Sequence, residues 1–376
     1  MNAKLNIAQF ASMLLLIIIG LLSAERGLAA EPVFRIHFID VGKGNAFLLE
    51  FPCGFVMFDA GGAEGTTQQL TDYIDKVMMT RPVAERKIAL VILSHGHLDH
   101  TTNISAVLGR YPVDEVMTNG HFGKRGLKQM PDLFEQYPNT VSYVADTQNI
   151  PPGGLHLPLS ESLGCAGQIA PDLRLLWGDA RPQLPGWSDK EYADENNHSV
   201  ALLAQWGKTK TLFTGDMERT ALQSMLDQDH DLLANIDLYQ ISHHGFSSGS
   251  LPTFDAYIDP RVAVLSRDAN SPWYEPTMKE WDGLVRERRA PVEVPVWTNP
   301  DPKSGADESL NELDSGDSSP EPAQKPMLKG SQKPALKAGR TPGTAVLSGG
   351  IYWTGRDGTI VVELSPDGGL KVNTAH

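Results

Sequence analysis

Short apolar blocks separated by turn residues dominate the first hundred positions and predict strands ahead of helices. Residues 33–39, 46–51 and 55–58 read as the strands of a meander, parted by the turns Val41-Gly42-Lys43-Gly44 and Pro52-Cys53-Gly54. Leu70, Ile74, Val77 and Met78 then recur at helical spacing within 66–79, and the continuous apolar run 88–93 reads as a buried strand. Further on, 200–206 and 211–213 read as a hairpin through Gly207-Lys208, followed by a helix over 217–226 and an apolar strand over 236–241. A strand at 262–265, a helix at 277–289 and a strand at 292–297 continue the alternation, which predicts sheets covered by helices.

Residues 301–343 break this rhythm. They are rich in Pro, Ser, Asp, Lys and Gly, acidic first and basic later, and too poor in apolar side chains to offset the entropy of ordering. A disordered insertion is expected there. Apolar pattern returns at Ile351-Tyr352-Trp353, 359–364 and 370–372, so 344–376 reads as the closing strands of the domain formed by 31–300, because so short a piece cannot bury a core of its own.

Residues 1–30 have the layout of a secretory signal, with Lys4 in a positive start, an apolar stretch over 13–22 and the small-residue tail Gly27-Leu28-Ala29-Ala30. A periplasmic or secreted protein is expected. The competing reading is an uncleaved anchor, since 7–24 approaches a membrane span, and only then would a membrane be a partner. Cys53 and Cys165 are the only cysteines, and one disulfide or two buried thiols fit them equally. The formal net charge of −14 disfavours non-specific nucleic-acid binding. Nucleic acid stays open as a partner only through a local basic group, for which Lys124, Arg125 and Lys128 are the compact candidates; a solvated loop explains them as well.

The chemistry concentrates in His95, His97, Asp99 and His100, on a turn that leaves a buried strand. Imidazole and carboxylate suit zinc, manganese or iron rather than calcium, and the absence of redox ligands favours zinc. Four neighbouring residues cannot complete two coordination spheres. The chain supplies more at strand edges: His198 in Asn196-Asn197-His198-Ser199, Asp216 in Thr214-Gly215-Asp216, and His243 with His244 after 236–241. His37, His156, His230 and His376 lack such companions and read as packing or surface residues. His121, in the Gly-flanked Asn119-Gly120-His121-Phe122-Gly123, stands after a strand where it could border the cleft, and no role is assigned to it.

With Asp59-Ala60-Gly61-Gly62 upstream, the His-x-His-x-Asp-His pattern followed by a later His, Asp and His resembles the metallo-β-lactamase superfamily. Within it, Phe38-Ile39-Asp40-Val41-Gly42-Lys43-Gly44-Asn45-Ala46, Asn196-Asn197-His198-Ser199-Val200, Leu212-Phe213-Thr214-Gly215-Asp216 and Ile241-Ser242-His243-His244-Gly245 look like the hydrolase domain of ComEC-type competence proteins. The resemblance runs over 33–297 and resumes from Trp353-Thr354-Gly355 to 372. It implies an α/β (α+β) fold, a four-layer αββα sandwich with two divalent metal ions, zinc by ligand chemistry, at one edge of the paired sheets. The first metal would take His95, His97 and His198, the second Asp99, His100 and His243, with Asp216 between them. His244 would then meet the substrate's leaving group or phosphate. Asp99 would orient a dimetal-bound hydroxide, Asp59 would hold a ligand histidine in one tautomer, and Asn45 and Asn196 would contact substrate or form turns.

Two departures stand against this. Asn45 occupies a position where those domains frequently carry Asp, and Tyr274-Glu275-Pro276 replaces a frequent His-Pro pair. Conversely, the first motif is whole where many of those domains lack part of it, which favours an active metal site. One apolar segment cannot form a multi-span channel, so a stand-alone exported relative is expected. The expected activity is metal-dependent hydrolysis of a phosphodiester or other phosphate-containing substrate. The alternatives are a β-lactamase or lactonase-type ring-opening hydrolase and a non-catalytic, metal-stabilised binding protein.

Overall fold

The computed structural model describes residues 32–159, 163–165, 169–269, 271–297 and 342–375. The expected signal at 1–30 and positions 301–341 of the expected insertion lie outside the described residues. In chain order the strands are β1 (Phe34–Phe38), β2 (Ala46–Phe51), β3 (Gly54–Ala60), β4 (Ile88–Ile92), β5 (Val113–Thr118) and β6 (Val141–Val144), then β7 (Leu155–His156), β8 (Asp172–Trp177), β9 (Ala201–Trp206), β10 (Thr209–Phe213), β11 (Leu238–Gln240) and β12 (Val262–Leu265). A short sheet of β13 (Trp273–Tyr274), β14 (Arg288–Trp297) and β15 (Pro342–Gly349) follows, and the chain closes with β16 (Ile351–Trp353), β17 (Ile360–Leu364) and β18 (Leu370–Thr374).

Two large sheets result, ordered β18-β17-β1-β2-β3-β4-β5-β6 and β16-β12-β11-β10-β9-β8-β7. Strand alternation explains their stacking, because successive side chains point to opposite faces. Phe47, Leu49 and Phe51 of β2 enter the layer between the sheets with Leu202, Ala204 and Trp206 of β9. Leu48 of β2 turns outward beneath helices α1 (Thr67–Met78) and α2 (Ile104–Arg110), and Leu203 of β9 turns outward beneath α3 (Arg219–Leu233) and α4 (Pro252–Ile258). The architecture is therefore the αββα sandwich. Phe213, the last residue of β10, reaches across the layer to Phe38, Phe47 and Phe58, with ring centroids 5.2 to 6.3 Å away.

Strands β3, β4 and β5 run parallel, as do β10, β11, β12 and β16, so the loops after each set gather at one edge. Parallel sheets place ligand sites outside the carboxyl ends of their strands for this reason. The closing strands complete both sheets: β16 joins β12, while β17 lies between β1 and β18. Trp297 and Pro342 face each other across the antiparallel β14–β15 ladder. Among the described residues, no helix is long and apolar enough to cross a membrane.

Of the two readings of the cysteines, the structure takes the disulfide. Cys53, in the β2–β3 turn, is bonded to Cys165 across 112 positions of sequence. Closing a loop of that size removes denatured-state freedom, typically worth about 2–4 kcal/mol. The Cys53→Ser, Cys165→Ser double variant is accordingly expected to unfold at a lower urea midpoint with a steeper slope, because the freed denatured chain exposes more surface; an unchanged midpoint would contradict it.

Candidate metal centre

Asp59 ends β3 with a left-handed backbone, φ 58°, and its carboxylate is fully buried. It accepts the Ser94 backbone N–H at 2.7 Å, the Ser94 hydroxyl at 2.9 Å and the His100 Nδ1–H at 2.6 Å. Because that hydroxyl is spent on Asp59, Ser94 Oγ accepts from His95 Nδ1 at 3.0 Å. Both imidazoles are thereby set with Nε2 as the free lone pair, the arrangement that orients metal-ligating histidines. The carbonyl of Asp99 sits against Gly44 and Gly61, where any Cβ would collide with it, and it accepts Asn45 N–H at 3.0 Å.

Facing this turn, the chain after β11 carries three successive left-handed residues, His243 (φ 47°), His244 (φ 51°) and Gly245 (φ 74°). Two of them are not glycine, a conformation that costs about 1–3 kcal/mol each and persists where its surroundings enforce it. Here the His243 N–H donates to Gly215 O at 3.2 Å, Phe246 N–H to His243 O at 2.8 Å, and Arg267 Nη1 to His244 O at 3.1 Å. The Arg267 guanidinium also lies over the Phe246 ring, 4.4 Å from its centroid. His244 Nδ1–H donates to Ser266 O at 2.7 Å, which again leaves Nε2 free.

The free atoms converge. His100 Nε2 is 3.1 Å and His244 Nε2 3.2 Å from Asp216 Oδ2, the two nitrogens are 3.3 Å apart, and His244 Nε2 is 3.4 Å from Asp99 Oδ2. His95 Nε2 and His97 Nδ1 are 2.9 Å apart. Two ligands of one tetrahedral zinc at ordinary bond lengths stand about 3.3 Å apart, so the spacing suits metal ligands. His95, His100 and Asp216 form one group with ligand atoms within 4.8 Å of one another, and Asp99, His100 and His244 form another. Asp216 Oδ1 is buried without a hydrogen-bond partner, a carboxylate oxygen that a cation would satisfy. The structure thus brings His95, His97, Asp99, His100 and Asp216 to one place and sets Asp59 against His100.

Two ligand expectations are corrected. His244, not His243, enters the cluster, because consecutive left-handed residues splay the two rings to 6.4 Å between centroids. His243 turns instead to Ser248 Oγ at 2.7 Å and Glu218 Oε1 at 3.4 Å. His198 turns to partners of its own. A 3-10 turn over Glu195–His198 rotates it beneath the end of β8, where it meets Asp179 and Tyr192 O. Asn196 lies at the site, its Nδ2 3.5 Å from His243 Nε2, and buried Asn45 has both side-chain polar atoms unpartnered.

Glu195 is a residue sequence reasoning missed. Its buried carboxylate accepts Gly96 N–H and Asn119 Nδ2, each at 2.9 Å, and His121 Nδ1 at 2.6 Å, so it props the turn between His95 and His97. No spacing signals this, because its partners come from two other strand ends. Arg267 and Ser266 were missed for the same reason.

Electrostatics favour cation uptake. Burial opposes ionisation of Asp216, yet the facing His100 and His244 outweigh it and hold the carboxylate well below its usual range. Burial likewise opposes charge on His244, but Asp216 and Asp99 lift it to about 9, and Asp216 with Asp59 holds His100 well above the imidazole range. Burial and the neighbouring His100 and His97 keep His95 neutral.

In the metal-free protein the stabilisation from charged His244 is whole below the ordinary value of 6.5 and is lost as pH rises through about 9. Metal uptake must displace the protons on His100 and His244. Titration calorimetry in buffers of different ionisation enthalpy is expected to show proton release at neutral pH and affinity that strengthens toward pH 9; pH-independent affinity would contradict this. Arg267→Ala, which frees the His244 carbonyl, is expected to weaken metal retention by about 10–100-fold in a chelator competition, with Arg267→Lys recovering part of the loss.

The chain is similar to Recombination protein 2 of Haemophilus influenzae, 22% identical over 290 residues that cover 77% of this chain and 31% of that protein. It is also similar to ComE operon protein 3 of Bacillus subtilis, 22% identical over 263 residues, covering 67% and 30%. The chain spans about a third of the length of these relatives. Among solved structures, the metallo-beta-lactamase fold protein YhfI from Bacillus subtilis aligns over 68% of this chain and 95% of its own, with 13% identity and a TM-score of 0.40. The model of the Metallo-beta-lactamase superfamily matches residues 39–267, a span that holds Asp59, both halves of the ligand cluster and Arg267. The chain therefore belongs to the metallo-β-lactamase superfamily, as one of its metal-dependent hydrolases.

Proposed function

We propose that this protein is an exported hydrolase that holds two divalent ions, zinc by ligand chemistry, and cleaves a phosphodiester or another phosphate-containing substrate with water. The observation that carries the reading is Asp216: one oxygen faces His100 and His244 at 3.1 and 3.2 Å, and the other is buried without a protein partner. That carboxylate suits a bridging position, with His95 and His97 on one side and Asp99, His100 and His244 on the other. Two close divalent ions would supply an activated water and a polarised scissile oxygen.

The chain's own residues set the remaining conditions. Asp59, Ser94 and Ser266 fix the tautomers of His95, His100 and His244, so that each presents Nε2. Asp99, with 22% of its side chain exposed, stands at the rim where it can hold the attacking water in line and take its proton. Lys43 stands beside this edge, its ammonium 5.8 Å from the ring centroid of Phe246, which packs on His243. His243, oriented through Nδ1 by Ser248 and Glu218, presents Nε2 beside Asn196 as a contact for the leaving group or phosphate. Export is supported by the Cys53–Cys165 disulfide, since such bonds persist in oxidising compartments.

The test is a screen of the zinc-loaded chain against nucleotide diesters, DNA, lactones and lactams. Turnover of a diester is expected, and Asp216→Asn should lose more than about a hundredfold of kcat, since even residues behind the ligands cost about 10–100-fold. Turnover of a lactone or lactam alone would replace the substrate class. No turnover in a folded, metal-loaded protein would leave the non-catalytic binding role.

A further inference from the structure

A second cluster lies beyond the metal centre, where the ends of β5 and β8 meet the 3-10 turn before β9. His121 Nε2 is 3.0 Å and His198 Nδ1 3.1 Å from the same oxygen, Asp179 Oδ1. The three ligand atoms lie within 4.8 Å of one another. Asp179 and His198 are buried, and the His121 side chain is 15% exposed, which leaves one open approach.

The surroundings fix how the imidazoles present themselves. His121 Nδ1–H donates to Glu195 Oε2 at 2.6 Å, so in the neutral ring Nε2 carries a lone pair. His198 Nε2–H donates to Tyr192 O at 2.7 Å, and the Ala180 N–H points at His198 Nδ1 from 3.1 Å, so that nitrogen carries no proton toward Asp179. Two lone pairs and a carboxylate oxygen are thus turned on one another. Arg181 pairs with Asp179 through the other carboxylate oxygen, which leaves Oδ1 to face the two imidazoles, and Lys124 approaches Glu195 to 3.9 Å. Each histidine's remote nitrogen is held by a carboxylate or a backbone carbonyl, as in metal sites generally. Tyr192 and Trp187 pack their rings against His198 and supply an apolar wall.

We propose that His121, Asp179 and His198 form a separate mononuclear site for a divalent transition-metal ion of the zinc type. Its role is structural: the ion ties three strand-end loops together and, through His121 and Glu195, braces the Gly96 turn of the metal centre. The rival occupant is a proton. Burial opposes it, but Asp179 and Glu195 lift His121 to about 9, so a protonated His121 fills the gap when no ion is bound.

Elemental analysis of the zinc-loaded full chain, with cobalt(II) spectroscopy, separates the two. Wild type is expected to hold about one more metal ion per chain than His121→Ala or Asp179→Asn, and His100→Ala is expected to keep that extra ion while losing metal from the main centre. Unchanged stoichiometry in folded His121→Ala and Asp179→Asn overturns the proposal. An unchanged count in His100→Ala instead counts against the dinuclear reading and leaves this one standing. Should either of the first two variants misfold, His121→Cys decides. Both natural cysteines are bonded to each other, so a thiolate-to-cobalt absorption band can arise only from position 121, and its absence from folded protein overturns the site.

Discussion

The carboxylate of Asp59 accepts three hydrogen bonds in a place that water does not reach, and the order of the metal edge follows from that one constraint. A buried carboxylate without donors is expensive, so Ser94 and His100 are drawn to it from the end of the neighbouring strand. Holding them fixes the tautomers of two ligand imidazoles and the direction of the turn between them. Asp216 then has a defined partner to face across the gap between the sheets. Its own position is anchored from the other side by Phe213, whose ring is locked among three phenylalanines of the opposite sheet. The centre is therefore assembled by the core rather than by its loops.

Much of this was legible in sequence, for reasons that show where legibility stops. Strands β2, β4 and β12 match their apolar runs, and helix α1 differs from its 66–79 expectation by one residue at each end. Those segments bury one whole face or both, so local pattern suffices. Strand β6 could not be read the same way: Val141, Tyr143 and Val144 are about half exposed at a sheet edge, and alternation there reports nothing about a core. Helix α3 runs to Leu233, past the expected 226, because Leu233 packs on the second sheet from beyond a kink at Asp229.

The same boundary runs through the site. Four candidate ligands close together in sequence were readable as a unit because a single turn presents them. His243 against His244 was decided by backbone handedness, and side-chain type carries no information about it. His198 shows the converse, a metal-binding residue type at a strand edge that one tight turn directs to Asp179 and away from the first cluster. Glu195, three positions earlier on that turn, is the residue that reaches the His95–His97 segment. Which of two neighbouring polar residues faces the cleft depends on turn geometry that composition does not encode.

The facing of Trp297 and Pro342 across the β14–β15 ladder has a topological meaning. The ladder runs in register from Val292 opposite Leu347 to Trp297 opposite Pro342, so the two positions that bound residues 298–341 are held together by backbone pairing. The return of the chain to β16 beside β12 and to β17 beside β1 thus starts from a point that the β14–β15 ladder fixes.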